Sequence, residues 1–407
     1  MLSDPLKKDP VILLVVIGTL AHIGGAERQA LYLVEHLASL PGCRVEVLTF
    51  EDGSALRPTL DALDVPIHVH PYYFRWSRGR RLRSLLRLAW LLRFRIKPDA
   101  LLPFVGIHSK AMAQVWPFSG ARFCWWNQQD EGRDLHGTRE EGRILRRASC
   151  ITSNSEAGRD FLSETYGLPR DSILVYNNGT PLPDLVAIQG RANDRNGRLS
   201  VCMIANITSF KDHETLFRAW PKVRDHFPAD QRLVLRLAGH LRDQRTVHGL
   251  KVLAFELGLS SDEVKFLGPV EDVNSLILES DVVVHSSLTE GCPNAVCEAM
   301  AMGRAVVATD IPGCRQALGP EGIEWLAAPG DPAALADRII CMLESPELRR
   351  NTGVNNRRRV ESEFSITGMN RFFHQCIDAG LNCRLGEEGI DEHDSPGTPA
   401  AEPVKQG

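Results

Sequence analysis

The chain has 407 residues, 43% of them hydrophobic and 24% charged, with 47 Lys and Arg against 51 Asp and Glu for a formal net charge of −4. That length exceeds the usual size of one hydrophobic core, so two domains are the default. The composition is that of a globular protein, and the slightly acidic balance argues against a general nucleic-acid binder.

Val11 to Leu20 follows Lys7 and Lys8 closely and has the charge and apolarity of a signal peptide. The run is short, has no clear small-residue cleavage pattern and leads straight into Gly24-Gly25. Val11 to Ile17 therefore reads as a first buried parallel strand, and no other stretch is long and apolar enough to span a membrane. A helix over Ala26 to Leu40 and a strand over Val45 to Thr49 start an alternation that predicts a parallel sheet covered by helices. Further strands are expected at Ala100 to Phe104, Phe123 to Trp126, Cys150 to Ser153 and Ile173 to Tyr176.

Asn177 to Asn196 holds Gly179, Pro181, Pro183 and Gly190 among polar residues and is the natural linker. A second alternating unit runs through Leu199 to Ala205, Leu233 to Ala238, Val264 to Phe266, Val282 to His285 and Ala305 to Thr309. The organisation expected is a first domain over residues 1–190, a second over 191–363, a terminal helix within 364–380 and a disordered tail over 381–407. The tail is assigned by its Pro, Gly, Glu and Asp content.

The densest motif is Glu290-Gly291-Cys292-Pro293-Asn294-Ala295-Val296-Cys297-Glu298, where a strand turns into a helix. Backbone N–H groups of Gly291, Cys292 and Asn294 are open to ligand oxygens at such a helix start, while Pro293 stiffens the turn. Glu298 then lies one helical turn beyond Asn294. Gly24-Gly25-Ala26-Glu27 makes a second strand-to-helix turn, and Lys211 precedes a helical segment over Asp212 to Trp220. Taken singly, each of these is also an ordinary helix entry or solvated side chain. The ten cysteines contain no Cys-x-x-Cys pair; Cys292, Cys297 and Cys314 lack a second ligand pair, so reduced thiols are expected and no metal site is assigned.

In their order along the chain, Gly24-Gly25-Ala26-Glu27, Lys211, Glu290 to Glu298 with Ala299-Met300-Ala301, and Gly303 to Gly313 resemble the large retaining glycosyltransferase family 4, also called group 1. That resemblance implies an α/β GT-B fold, two facing Rossmann-like domains with an interdomain cleft. It also implies transfer of a hexose-like sugar from a nucleoside diphosphate sugar, with UDP the expected carrier, to a hydroxyl acceptor. Lys211 would oppose the charge on the departing diphosphate, Glu298 hold the ribose hydroxyls and Glu290 hold the sugar. The Gly24-Gly25 turn, Gly291, Cys292, Pro293 and Asn294 would approach the donor closely. No cofactor and no metal is required, because cationic and helix-start groups meet the phosphates directly.

The chain departs from the family in places. Asn206 stands where an Arg usually assists the Lys, Gln316 where a Glu is common, and Asn127 or Gln128 near the position of an acceptor-side His. His108 and Asp130 are the remaining polar candidates on that side, with Trp125 and Trp126 as a sugar-stacking wall or simple core. Asp310 and Gly313 sit at another expected cleft edge. Arg75 to Lys97 carries nine basic residues and no acidic one, interspersed with Leu and Trp. It reads as a helix resting on anionic lipid or as a solvated basic face. The expected location is the cytoplasm, at the inner face of the membrane, with a glycan, lipid-linked or small-molecule acceptor. A GT-B nucleotide-sugar epimerase and a non-catalytic nucleotide-sugar-binding protein are the alternatives.

Overall fold

The computed structural model describes residues 10–73, 77–184, 197–241, 243–383 and 385. Arg75, Trp76, the later part of the linker (185–196) and nearly all of the 381–407 tail lie outside them. Among the described residues, thirteen strands form two all-parallel sheets. The first holds β1 (Val11–Thr19), β2 (Cys43–Glu51), β3 (Ile67–Val69), β4 (Ala100–Pro103), β5 (Phe123–Gln128), β6 (Cys150–Ser153) and β7 (Ile173–Val175), in the order β3-β2-β1-β4-β5-β6-β7. The second holds β8 (Leu199–Ile204), β9 (Leu233–Ala238), β10 (Val264–Gly268), β11 (Val282–His285), β12 (Ala305–Thr309) and β13 (Leu326–Ala327), in the order β10-β9-β8-β11-β12-β13.

Helices α1 (Gly25–Ala38), α2 (Arg57–Ala62), α3 (Arg78–Leu91), α4 (Gly106–Ser119), α5 (Arg139–Leu145) and α6 (Glu156–Tyr166) cover the first sheet. The second carries α7 (His213–His226), α8 (Gln244–Glu256), α9 (Val273–Leu278), α10 (Asn294–Ala301), α11 (Pro312–Leu318), α12 (Pro332–Glu344) and α13 (Pro346–Glu363), and α14 (Ile366–Leu381) follows. The strand runs expected from sequence are all strands here, and in the central strands β1, β8, β11 and β12 most Val, Ile and Leu side chains are buried on both faces, as parallel sheets require. The short edge strands β3 and β13 are additions that no apolar run announces. In each half the strand order reverses beside the first strand, between β1 and β4 and between β8 and β11. Crevices open beyond the carboxyl ends of strands at such points.

The helix α14 belongs to the core of the first domain: Phe373 packs against Phe104, Trp125 and Tyr176, with ring centroids 5.8, 5.0 and 4.7 Å apart. Two crossings therefore join the halves, and they lie side by side. Thr180 N–H donates to Phe364 O at 2.8 Å and Asn177 Nδ2 donates to Glu363 O at 3.0 Å. Among the described residues no helix is long and apolar enough to cross a membrane.

Candidate functional site

Both switch points face one cleft of about 580 Å³, walled by Gly24 to Arg28, Val105, Gln129, Asp130, Arg133 and Asp134 from the first half. Asn206, Lys211, Gly239, His285, Glu290, Cys292 to Ala295 and Glu298 close it from the second. Three helices start at this cleft without a side-chain cap: α1 after Gly24, α4 after Val105 and α10 after Pro293. Elsewhere α5, α6, α8, α12, α13 and α14 are capped by Thr138, Ser155, Asp243, Asp331, Ser345 and Ser365, whereas α2, α3 and α11 also start without a side-chain cap. Uncapped helix starts leave backbone N–H groups and the positive end of the helix dipole facing the cleft.

Glu290 is almost wholly buried, and its Oε1 accepts from both Lys211 Nζ and His285 Nε2, the latter at 3.0 Å. Burial alone raises this carboxyl, but Lys211 and His285 outweigh it and hold it well below the usual carboxylate range. His285 is itself lowered by burial, so its neutral ring donates through Nε2. Beside it His213 is pushed down to about 3 by burial, with His285 and Lys211 adding to the effect. Lys211 is set by a one-turn 3₁₀ segment followed by Asp212 at φ +46°, whose carboxylate caps α7 through Thr215. Glu298 pairs across the cleft with Arg28 of α1. Burial raises the Glu298 carboxyl, and Arg28 offsets this in part.

The turn residues explain how closely the two halves meet. A Cβ on Gly25 would lie 2.6 Å from Asn294 Nδ2, and one on Gly291 would lie 2.5 Å from Gln129 O. A Cβ on Gly313 would lie 1.9 Å from Gly291 O, so that glycine lets α11 press directly on the Glu290 turn. Asn294 is further held by Asn178 Nδ2 at 2.8 Å and Gln29 Nε2 at 3.3 Å. Val105 sits at φ +72°, an outlier for a β-branched residue, at the cleft wall.

Lys211, Glu290, Glu298, Gly24, Gly25, Asn206, Cys292, Pro293, Asn294 and Asp130 all line the cleft; Gly291 forms its backbone seam against Gln129. Several sequence expectations are corrected. His108 is not in the wall: its Nδ1 donates to Phe104 O at 2.9 Å, its ring packs on Phe50, and burial lowers its pKa. Trp125 and Trp126 are fully buried, Trp125 Nε1 donating to Pro103 O at 2.8 Å, and they make core rather than a stacking wall. Asn127 and Gln128 are equally buried, and Gln129 is the residue that reaches the cleft. Asp310 pairs with Arg315, and Gln316 joins the halves by accepting from Glu156 N at 3.0 Å and donating to Asn177 Oδ1 at 2.8 Å. Both have structural tasks away from the cleft wall. Arg28, His285, Arg133 and Val105 were not singled out from sequence; Arg28 adjoins the Gly24-Gly25 motif, but only the fold brings it to Glu298.

Among the described residues, no three His, Cys, Asp or Glu side chains gather into a group that could hold a metal ion. Cys292 and Cys297 are free thiols with sulfurs 3.9 Å apart.

Residues 23–182 match the family described as Glycosyltransferase Family 4, and residues 198–345 match Glycosyl transferases group 1. The chain is similar to the putative glycosyltransferase EpsD of Bacillus subtilis, 33% identical over 154 residues, which are 38% of this chain and 39% of EpsD. It is 23% identical over 235 residues to the uncharacterised glycosyltransferase MJ1069 of Methanocaldococcus jannaschii, covering 54% of this chain and 56% of that one. The matches thus span about two to three fifths of the length of these relatives. Anabaena HepE, whose crystal structure holds UDP and glucose, superposes with a TM-score of 0.76 at 20% identity over 91% of this chain and 100% of HepE.

Proposed function

We propose that this chain, a GT-B protein related in both halves to the family 4 and group 1 glycosyltransferases, moves a hexose-like sugar from a UDP-linked donor to a hydroxyl acceptor. The observation that carries the reading is the convergence of Lys211, Glu290 and Glu298 with three uncapped helix starts on one cleft. The bound UDP and glucose of HepE support the choice of donor.

In this reading Lys211 leaves Glu290 for the diphosphate, and Glu290 then takes the sugar hydroxyls. Glu298 exchanges Arg28 for the two ribose hydroxyls. The bond from the anomeric carbon to the phosphate oxygen breaks with its electrons going to UDP, while the acceptor oxygen forms the new bond on the same face, retaining configuration. The acceptor proton passes to the departing phosphate oxygen, which needs no side-chain base. This suits a cleft wall whose residue from the end of β5 is the neutral amide Gln129. Donor preorganisation supplies the rest through charge already in place.

The acceptor is a lipid-linked glycan approached from an anionic membrane. On α3 and the π-helical turn Leu92–Ile96 that follows it, Leu82, Leu86, Trp90 and Phe94 recur every four residues and each is more than half exposed. Exposed Arg83, Arg87, Arg93 and Arg95 flank them, with no acidic residue over 77–97. An apolar stripe bordered by arginines fits a lipid interface.

A panel of nucleotide sugars, assayed with lipid-linked and soluble acceptors and read by mass spectrometry for both free nucleotide and glycosylated product, tests the activity. Altered free donor with no product indicates epimerisation. Saturable donor binding without turnover indicates a binding protein, the reading that Asn206 favours. For the membrane, Leu86→Ser with Trp90→Ser is expected to abolish sedimentation with phosphatidylglycerol vesicles; equal sedimentation with neutral phosphatidylcholine vesicles counts against the lipid reading.

A further inference from the structure

We infer that Arg133 provides the second positive charge for the donor diphosphate, so that the first domain completes a leaving-group site the second domain leaves one charge short. The inference rests on the functional reading above and names a residue it does not use. At the end of β8 the side chain of Asn206 is neutral, and its Oδ1 already accepts the His240 N–H at 3.0 Å. A departing nucleoside diphosphate carries more charge than Lys211 alone offsets.

Among the described residues, three cations line the cleft: Lys211, Arg28 and Arg133. Arg28 is committed to Glu298. The Arg133 guanidinium instead lies 3.8 Å from the centroid of the Phe210 ring, and Lys211 Nζ lies 5.5 Å from the same centroid. The two cations thus flank one ring. A stacked guanidinium uses its face for the aromatic contact and keeps its edge N–H donors for phosphate oxygens.

The segment is built to hold that pose. Asp130 Oδ1 accepts from Gln128 Nε2 at 2.7 Å and from Gly132 N at 2.8 Å. Gly132 turns the chain at φ +80°, where a Cβ would strike Phe161 at 2.0 Å. Asp130 thereby fixes the turn that leads into Arg133. Because Phe210 belongs to the second half and Arg133 to the first, the pair of charges exists only while the halves face each other closely. The leaving group meets both charges in the closed cleft and only one in an open cleft, which disfavours loss of the sugar to water before an acceptor is enclosed.

Calorimetric titration of the whole chain with UDP and with UMP separates this role from general damage to the loop. Arg133→Gln is expected to weaken UDP at least tenfold and UMP less than twofold, and Arg133→Lys to fall between. With a donor and acceptor that the wild type uses, Arg133→Gln lowers kcat about 100-fold with the acceptor KM unchanged. Adding Asn206→Arg to Arg133→Gln restores UDP affinity. Equal weakening of UDP and UMP overturns the inference, as does a raised acceptor KM with intact UDP affinity. A wild-type chain that binds UDP but turns over no donor removes the transferase reading and leaves the UDP and UMP comparison to decide the role of Arg133. A wild-type chain that binds no UDP overturns both.

Discussion

Lys211→Met removes one of the two groups that keep a buried carboxylate ionised. Glu290 is then left with His285, whose neutral ring donates one hydrogen bond of 3.0 Å. Burial is the largest influence on Glu290 and it acts upward; in the wild type Lys211 and His285 reverse it. Without the ammonium the carboxyl rises above the ordinary value of about 4.3. Breaking a buried ion pair from one side destabilises by about 3–5 kcal/mol. Here the residual hydrogen bond and the ability of Glu290 to take up a proton reduce that to about 2–3 kcal/mol at pH 7.

The pH dependence follows in sign. The depressed wild-type carboxyl contributes stability that is present above its unfolded value and lost only as pH falls through the depressed one, so between pH 8 and 5 the wild type does not change on its account. In the variant the raised carboxyl destabilises while ionised. As pH falls through its raised value the folded form binds a proton before the unfolded form does, and stability returns. The gap between the two proteins is therefore widest at pH 8 and narrows toward pH 5. Urea unfolding at one-unit pH steps, followed by tryptophan fluorescence with Trp220 and Trp325 reporting on the second half, measures it. A gap below about 1 kcal/mol, or one that is flat from pH 8 to 5, refutes the account of Glu290. Under the proposed function the same variant loses about 100- to 1,000-fold in kcat.

Glu298→Gln is expected to weaken UDP-glucose binding about 10- to 100-fold. Because burial raises the Glu298 carboxyl, wild-type affinity falls as pH is lowered toward 5 while the variant is less pH-dependent; titration calorimetry at pH 7.5 and 5.5 reads both. Gly313→Ala drives a Cβ to 1.9 Å from Gly291 O and 2.7 Å from Glu290 O. Backbone atoms cannot step aside as a flexible side chain would, so a loss of about 1–3 kcal/mol in urea unfolding should accompany weakened donor binding. Phe373→Ala empties a fully buried site among Phe104, Trp125 and Tyr176. A loss of about 3–5 kcal/mol is expected, with faster hydrogen exchange in α14 and in β5 but not in the second sheet.

The two-sheet plan was legible because buried parallel strands write themselves as unbroken Val, Ile and Leu runs, as in Val11 to Ile17 and Val282 to Val284. The short edges β3 and β13 were not, since two or three residues carry no period. Phe123 to Trp126 announced a strand but not its environment: α14 and α4 cover both faces of the sheet there, so Trp125 and Trp126 are sealed instead of alternating. The Glu290 to Glu298 motif was readable as a local spacing. Its ion pairs were not, because the partners Lys211 and Arg28 lie 79 and 270 positions away. Arg133 is one arginine among many in the sequence, and its position over Phe210 is a property of two domains meeting.

The return of the final helix sets the order in which this protein is made. Trp125 and Tyr176 emerge from the ribosome long before Phe373, and at about 5–20 residues per second the wait from Tyr176 to Phe373 lasts roughly 10–40 s. Throughout that interval the nascent first domain presents an aromatic surface with nothing to cover it, while the entire second sheet is being synthesised. Maturation of the first domain is thus deferred until α14 has been synthesised, and chaperone demand should concentrate on that domain.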